Sequence, residues 1–378
     1  MPMDSMTRAS KTLPALTLSG LLMIGLSACG GGDGGGLVDT PDAAEAQCTI
    51  DLDELLETGV GRDNIPALIN PKFVLADDAE ADYLLPLDRV IGFLVGDRVL
   101  AIPHNILWWH EVLNLNLPEG KFLVTYCPLT GSAIAFDRSA VGGVDFGVSG
   151  LLFRNNQVMF DRARPVTLWP QMMGTGVCGP KTGTVLPRIA VTEMTWRAWL
   201  EHHPDTEVIS SETGWSRDYT QYPYGDYEDL DAPPFLPQRF DQTRQPKERV
   251  MAIEGRDGGV LAFPFLELDQ LGELGVVNAE VDGEPFLVVW DRVAESAFTF
   301  SRISDRPAPG SDAPLTFRVE DGKILDNETG SEWARTGQAV AGELAGAVLP
   351  GHPGSMIAFW FAWSAFHPTT SKFVWLAD

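Results

Sequence analysis

From residue 90 onward, short apolar runs alternate along the chain with polar turns that contain Gly, Asn or Asp. Each run is only a few residues long and is rich in Val, Ile, Phe and Leu, as β-strands are. Runs with these features lie at 90–95, 99–102, 122–127, 133–136, 147–153 and 158–160. The pattern predicts a mainly β protein with a few helices, in the α+β class.

Helical patterns are fewer. Residues 192–202 form the clearest one, with Trp196 and Trp199 on one face and Pro204 as its stop. The acidic run 51–58 predicts a short helix. The apolar run 356–366 predicts a buried helix that is too short to cross a bilayer. The run 106–113 fits a helix or a strand equally well.

The second half of the chain repeats the first half in order. The ordered matches are 100–103 with 261–264, 112–114 with 276–278, 122–126 with 286–290, 132–138 with 296–302, and 183–187 with 346–350. The spacing of Trp196, Trp199 and His203 also returns later, in Trp360, Trp363 and His367. Matches over this length indicate duplicated units and not a solenoid of short repeats. We predict two tandem homologous β-rich units, 90–213 and 250–378, related by a pseudo-two-fold axis.

An N-terminal segment at 50–89 precedes the first unit, and a crossover at 214–249 joins the two units. Four of the six tyrosines of the chain lie in the crossover, at Tyr219, Tyr222, Tyr224 and Tyr227. A plain linker is poorer in aromatic residues. We therefore expect an ordered crossover that packs on one or both units and offers a surface for a ligand or a partner.

The first residues have the pattern of a bacterial lipoprotein signal. Residues 1–28 carry Arg8 and Lys11 before a short apolar stretch, as signal peptides do. The stretch ends in Leu-Ser-Ala-Cys, which resembles a lipobox and makes Cys29 the predicted lipidation site. Residues 29–49 are Gly-rich at their start and predict a flexible tether. We expect a cell-envelope protein held to the membrane by its lipid, on the periplasmic face of the outer membrane.

The net charge of −25 argues against nucleic acid as a partner, because so acidic a body repels phosphate. With Cys29 acylated, Cys48, Cys127 and Cys178 remain, in a compartment that permits disulfides. Three is an odd number, so either one disulfide forms and one thiol stays free, or none forms.

The candidate chemistry lies in the first unit. Four residues that could do chemistry are not kept in the second unit, which has Phe265 in place of His104, Leu274 in place of His110, Gly275 in place of Glu111 and Asp291 in place of Cys127. In one interpretation, Cys127 is a catalytic nucleophile, with His110 as its base and Glu111 as the residue that orients the base. In another, His104, His110 and Cys127 bind a thiophilic metal, copper or zinc. In a third, these residues are packing residues of a non-catalytic protein that binds a ligand or partner.

Several motifs in order resemble the bacterial domain-of-unknown-function family 3179. They include DNIPALINPKF at 63–73, HEVLN at 110–114, TYCPL at 125–129, FGVSG at 146–150 and RDYTQYPYGDY at 217–227. The resemblance implies no activity that can be named. The family pattern is CPLC, and Thr130 stands here in place of its second cysteine. One hypothesis is that a Cys127–Cys178 disulfide replaces the missing pair.

These observations predict a cell-envelope lipoprotein with a Cys/His site in the first unit. Metal binding or metal-dependent chemistry is the first interpretation, and a thiol-nucleophile enzyme or a non-catalytic binding protein is the alternative.

Overall fold

The computed structural model describes residues 48–372. The signal peptide, Cys29 and nearly all of the tether predicted at 29–49 lie outside the described residues. Within this range the protein is mainly β with a few short helices, as the sequence predicts. The α-helices are α1 (His104–His110), α2 (Trp196–His202), α3 (Phe265–Leu268) and α4 (Trp360–Phe366).

The strands of the described range are mostly three to eight residues long. They are β1 (Leu55–Glu57), β2 (Leu68–Ile69), β3 (Phe73–Leu75), β4 (Arg89–Val95), β5 (Arg98–Pro103), β6 (Val112–Leu117), β7 (Gly120–Cys127), β8 (Ser132–Asp137), β9 (Phe146–Phe153), β10 (Asn156–Asp161), β11 (Leu168–Pro170), β12 (Arg188–Ile189), β13 (Thr192–Thr195), β14 (Glu207–Ile209), β15 (Arg249–Glu254), β16 (Val260–Pro264), β17 (Leu274–Val281), β18 (Glu284–Asp291), β19 (Ser296–Ser301), β20 (Phe317–Glu320), β21 (Lys323–Asp326), β22 (Glu332–Trp333), β23 (Ala339–Ala341), β24 (Ser355–Phe359) and β25 (Ser371–Lys372).

Residues 55–209 form three sheets, with strand orders β13-β4-β5-β14-β3, β12-β8-β7-β6-β2 and β1-β9-β10-β11. Residues 249–372 form three more, with orders β24-β15-β16-β25, β17-β18-β19 and β20-β21-β22-β23. Most neighbouring strands are antiparallel hairpin partners, and β14 and β25 each add a parallel strand, to β5 and β16 respectively. The six predicted strands of the first unit are all confirmed.

The predicted helices are confirmed only in part. Residues 192–202 and 356–366 each begin as a strand, β13 or β24, and become helical at Trp196 and Trp360. The ambiguous run 106–113 contains the end of α1 and the start of β6. The prediction at 51–58 was wrong, because that stretch forms a 3-10 turn and then β1, which pairs with β9. An apolar run continues through a strand-to-helix junction without a break, so hydrophobicity alone does not mark the boundary.

The core joins the N-terminal and C-terminal parts of the described range. The largest apolar cluster joins residues of β4, β5, α1 and α2 to residues of β18, β19 and β20–β22. A second cluster joins β6, β8 and β9 to β15, β24 and α4. In the largest cluster, the ring of Trp199 in α2 packs directly on the backbone of Gly92 in β4. A Cβ at residue 92 would lie 2.1 Å from that ring, so only glycine allows this packing. No helix between residues 48 and 372 is long and apolar enough to span a membrane.

Candidate active site

Cys127 ends β7 in the middle of the protein. Pro128 follows it, and the amide of Thr130 donates to the carbonyl of Cys127 (3.2 Å), which closes a four-residue turn before β8. Proline favours such a turn because its ring fixes φ. The thiol is 1% exposed and packs with Leu129 and Leu152 from its own unit. Three residues of the crossover cover it, Tyr224, Tyr227 and Leu236.

Three groups surround the sulfur. The backbone N–H of Gln157 donates to Sγ (3.4 Å), Sγ contacts the carbonyl oxygen of Asn155 (4.0 Å), and the Thr130 hydroxyl bonds to the thiol. Burial, with a smaller contribution from Glu111, raises the pKa of Cys127 to about 11. The resting thiol is therefore protonated at neutral pH, and it needs a base in order to act as a nucleophile.

Glu111 occupies the sharp turn between α1 and β6. Its φ of +54° is in the left-handed region, where non-glycine residues are uncommon and strained. Its backbone is held at both ends, by the carbonyl of Leu107 and by the amide of Tyr126. The side chain is 6% exposed, and burial raises its pKa to about 8. The turn thus brings the carboxyl of Glu111 close enough to Cys127 to contribute to the raised pKa of the thiol.

The same turn directs His110 away from the thiol. Its Nδ1 lies 2.7 Å from the carbonyl of Pro66 and its Nε2 lies 2.7 Å from the hydroxyl of Tyr219. A carbonyl only accepts, so Nδ1 donates and Nε2 accepts from the tyrosine. Burial lowers the pKa of His110 to about 4. With both ring nitrogens engaged and no proton to gain, His110 is a structural residue and not the predicted base.

His104 belongs to a different buried group. Its Nε2 lies 2.9 Å from a carboxylate oxygen of Glu193, and its ring stacks on Tyr126 at 4.0 Å. Among residues 48–372, no three His, Cys, Asp or Glu side chains are close enough together to hold a metal ion. The predicted copper or zinc set of His104, His110 and Cys127 is therefore not assembled, because each residue has its own separate partners.

The disulfide hypothesis was also wrong. Cys178 is bonded to Cys48, and Cys127 is a free thiol. Cys48 and Cys178 lie opposite each other in an antiparallel bridge, beside the bond from the amide of Thr49 to the carbonyl of Val177 (2.8 Å). Cys178 packs in a separate cluster on β9–β11, away from the residues that cover Cys127.

Lys247 is the site residue that the sequence did not reveal. It is 1% exposed, and its Nζ lies over three aromatic rings: 3.1 Å from the centroid of Tyr227, 4.7 Å from that of Phe361 and 5.1 Å from that of Phe359. Its Nζ has no hydrogen-bond partner among the described residues. Burial lowers the pKa of Lys247 to about 7, although the nearby Glu228 and Cys127 act in the opposite direction. No local pattern marks Lys247, because Pro-Lys-Glu-Arg has the composition of a solvated turn.

The crossover holds these groups together. The amides of Phe361 and Trp360 donate to the carbonyls of Pro246 (3.0 Å) and Glu248 (2.8 Å), which fixes the backbone on both sides of Lys247. Tyr227 contacts Lys247 through its ring and donates from its hydroxyl to the carbonyl of Leu129 (2.9 Å). Tyr227 is thus the link between the amine and the turn that follows Cys127.

A surface cleft of about 740 Å³ reaches the edge of this site. Asn155 and Leu236 are in its wall; the carbonyl of Asn155 contacts the Cys127 sulfur, and Leu236 packs against the cluster of Cys127, Leu129 and Leu152. Two hydrogen bonds join this pair: the Asn155 side chain donates to the carbonyl of Leu236 (3.1 Å) and accepts from its amide (2.6 Å). The thiol is therefore one layer of residues below a cleft large enough for a small molecule.

The comparisons with known proteins give a family and no activity. A family model described as "Protein of unknown function (DUF3179)" matches residues 62–370. No curated protein matches the chain, and no solved structure matches it. The matched range covers most of the chain and includes Cys127, Glu111 and Lys247. The chain belongs to the DUF3179 family.

Proposed function

We propose that this protein is a cell-envelope lipoprotein enzyme that uses the thiol of Cys127 as a nucleophile. Lys247 is the general base, and Glu111 is the general acid. One observation carries the proposal: Tyr227 packs both against the Cys127 cluster and on the buried amine of Lys247, which has no hydrogen-bond partner among the described residues. The buried carboxyl of Glu111 lies within electrostatic reach of the same thiol. Buried ionisable groups are costly and are common where chemistry requires them.

The protonation states suit this division of roles. A base is most effective when its pKa is near the working pH, and the pKa of Lys247 is about 7. At neutral pH a large fraction of this amine is free to accept the thiol proton as the sulfur attacks. Glu111, with a pKa of about 8, carries a proton that it can give to a leaving group.

The cellular location is part of the proposal. Cys29 would carry the lipid, residues 29–49 would form the tether, and the membrane would be the partner at the periplasmic face of the outer membrane. The Cys48–Cys178 disulfide supports this assignment, because disulfides persist in oxidising compartments. The acidic chain makes nucleic acid an unsuitable partner.

We also propose that the two units arose by duplication and retain a pseudo-two-fold relation. The orders β13-β4-β5-β14 and β24-β15-β16-β25 support it, since each combines a central hairpin with one parallel strand. In both units a tryptophan of the helix donates to a threonine seven residues later, Trp199 to Thr206 (2.9 Å) and Trp363 to Thr370 (3.0 Å). The site residues of the first unit would then be a later specialisation.

The test is the pH dependence of Cys127 alkylation in the full-length protein. Iodoacetamide is added to the folded protein, and peptide mass spectrometry separates Cys127 from the other cysteines. We expect the wild-type rate to level off above about pH 7, where Lys247 becomes free, and to be about 10²-fold faster at neutral pH than the rate of Lys247→Met. The variant rate should instead rise about tenfold per pH unit up to the pKa of the thiol.

Lys323→Met, at an exposed strand position, is the matched control and should behave as the wild type does. Identical pH profiles for the wild type and Lys247→Met would refute the role of the amine. A Cys127 that is alkylated only after unfolding would refute the enzyme proposal and favour a non-catalytic binding protein.

A further inference from the structure

The side chain of Gln157 has an unusual environment. It is 2% exposed, and neither its Nε2 nor its Oε1 has a hydrogen-bond partner among the described residues. A buried amide without partners costs about 1–3 kcal/mol. Such a group in a folded protein calls for an explanation, and a site for a polar substrate is one.

Strand register places this amide on the side of the thiol. Gln157 of β10 pairs with Leu152 of β9, and directly paired residues project from the same face of a sheet. Leu152 packs against Cys127. The neighbouring Asn156 projects from the opposite face, where its side chain donates to Gln171 (2.7 Å) and Thr130 (3.1 Å).

We infer that Gln157 stabilises an oxyanion and that the substrate is an acyl compound, that is, an ester, thioester or amide. This inference rests on the proposed role of Cys127 as a nucleophile. Attack of sulfur on a carbonyl carbon moves negative charge to the carbonyl oxygen, and a fixed N–H donor aimed at that oxygen stabilises the transition state. Alkyl transfer to sulfur and thiol–disulfide exchange create no such oxyanion, so they do not account for the amide.

The step balances without an oxidant or reductant. The sulfur of Cys127 bonds to the acyl carbon, Lys247 takes the thiol proton, and the leaving group departs with a proton. Glu111 gives that proton, and Lys247 then loses a proton to water while Glu111 takes one from water. Water then cleaves the thioester and releases a carboxylic acid, which restores the thiol.

The cleft gives the substrate its route. Opening the two hydrogen bonds between Asn155 and Leu236 joins the cleft of about 740 Å³ to the space beside Cys127. Gln238 and Arg239 of the crossover and Arg154 of the β9–β10 turn also line the cleft. Asp53, Glu54 and Asp241 line it as well, so the lining carries charges of both signs, and an acyl compound of small-molecule size with polar groups fits it.

The test compares two reactions of one thiol. The full-length protein is treated with p-nitrophenyl acetate, and acetylation of Cys127 is followed by mass spectrometry beside alkylation by iodoacetamide. Gln157→Met keeps the length of the side chain and removes its donor. We expect it to slow acetylation about 10²-fold, as loss of one oxyanion donor does, and to change alkylation less than about threefold.

The other outcomes separate the two hypotheses. If both rates of Gln157→Met equal those of the wild type, or if both fall together, Gln157 is not an oxyanion donor. If the wild-type thiol is alkylated and never acetylated, the acyl substrate is wrong while the proposed thiol enzyme stands. If the folded wild type undergoes neither reaction, the proposed function itself fails. Gln157→Leu, which also removes the donor but has a different apolar shape, should match Gln157→Met and guards against a packing effect of the methionine.

Discussion

Replacement of Lys247 by methionine tests the energetic cost of its buried amine. Methionine keeps an unbranched chain over the rings of Tyr227, Phe359 and Phe361 and removes the titrating group. Burial lowers the pKa of the lysine from 10.5 to about 7. At about 1.4 kcal/mol per pKa unit, this difference corresponds to roughly 5 kcal/mol, which residual solvation of the amine reduces to about 2–4 kcal/mol.

The sign follows from proton binding. Between pH 7 and pH 10.5 the unfolded chain holds a proton on Lys247 that the folded chain has released, so wild-type stability rises with pH in this window. Below the folded pKa, both states are charged and the full cost of burial is present. The free energy of unfolding of Lys247→Met should therefore exceed that of the wild type most at acidic pH, and the gap should narrow by about 2–3 kcal/mol between about pH 6.5 and pH 9.5.

Urea unfolding followed by tryptophan fluorescence, with the disulfide kept oxidised, measures this gap at each pH. Lys323→Met again controls for the loss of a lysine at an exposed position. Parallel curves for the wild type and Lys247→Met would mean that the amine is not desolvated in the folded protein and that Lys247 stays charged at neutral pH.

Three further predictions concern Glu111, the disulfide and Thr130. Burial raises the pKa of Glu111 from 4.5 to about 8, so the wild type should lose stability relative to Glu111→Gln as the pH rises through this window. The expected loss is about 1 kcal/mol of unfolding free energy per pH unit, measured by urea unfolding. A difference in unfolding free energy that stays constant with pH would contradict a buried, protonated carboxyl. The double variant Cys48→Ser, Cys178→Ser should lose about 3–5 kcal/mol of unfolding free energy, since the bond closes a loop with a sequence separation of 130; an unchanged urea midpoint would contradict this. Thr130→Cys should form a disulfide with Cys127 under mild oxidation, because the first and fourth residues of a closed turn lie within disulfide reach. Non-reducing peptide mapping checks it, and two alkylatable thiols at 127 and 130 would count against the turn geometry.

The strands were predictable because each one is an apolar run bounded by turn residues. The repeat comparison was less informative about the four residues that it singled out. It shows which residues differ between the two repeated segments, and not which residues lie close together in the structure. Cys127 and Glu111 do lie together, but only because Glu111 adopts a positive φ that no sequence pattern indicates. His110 and His104 differ between the units for reasons of packing.

Lys247 and Gln157 were missed for a common physical reason. Each lies in a segment of unremarkable composition, and its burial depends on contacts with distant parts of the chain, such as Phe361 for Lys247. The pairing of Cys48 with Cys178 likewise follows from the approach of the segment before β1 to the segment after β11. Long-range placement of this kind is a property of the fold and leaves no local signal.

The Cys48–Cys178 bond has a consequence for proteolysis. Residues 111, 127 and 157 all lie inside the covalent ring that it closes, so a cut between residues 48 and 178 leaves the fragments joined. Lys247 lies outside the ring, near the C-terminal end of the crossover. No disulfide within residues 48–372 bridges the crossover, so a single cut in the crossover before Lys247 would leave the thiol and the amine on separate fragments, which the shared apolar core would hold together. Such a nicked protein would keep the site together in native buffer and lose it on dilution into denaturant, so the crossover is the place at which the protein divides into complementing fragments.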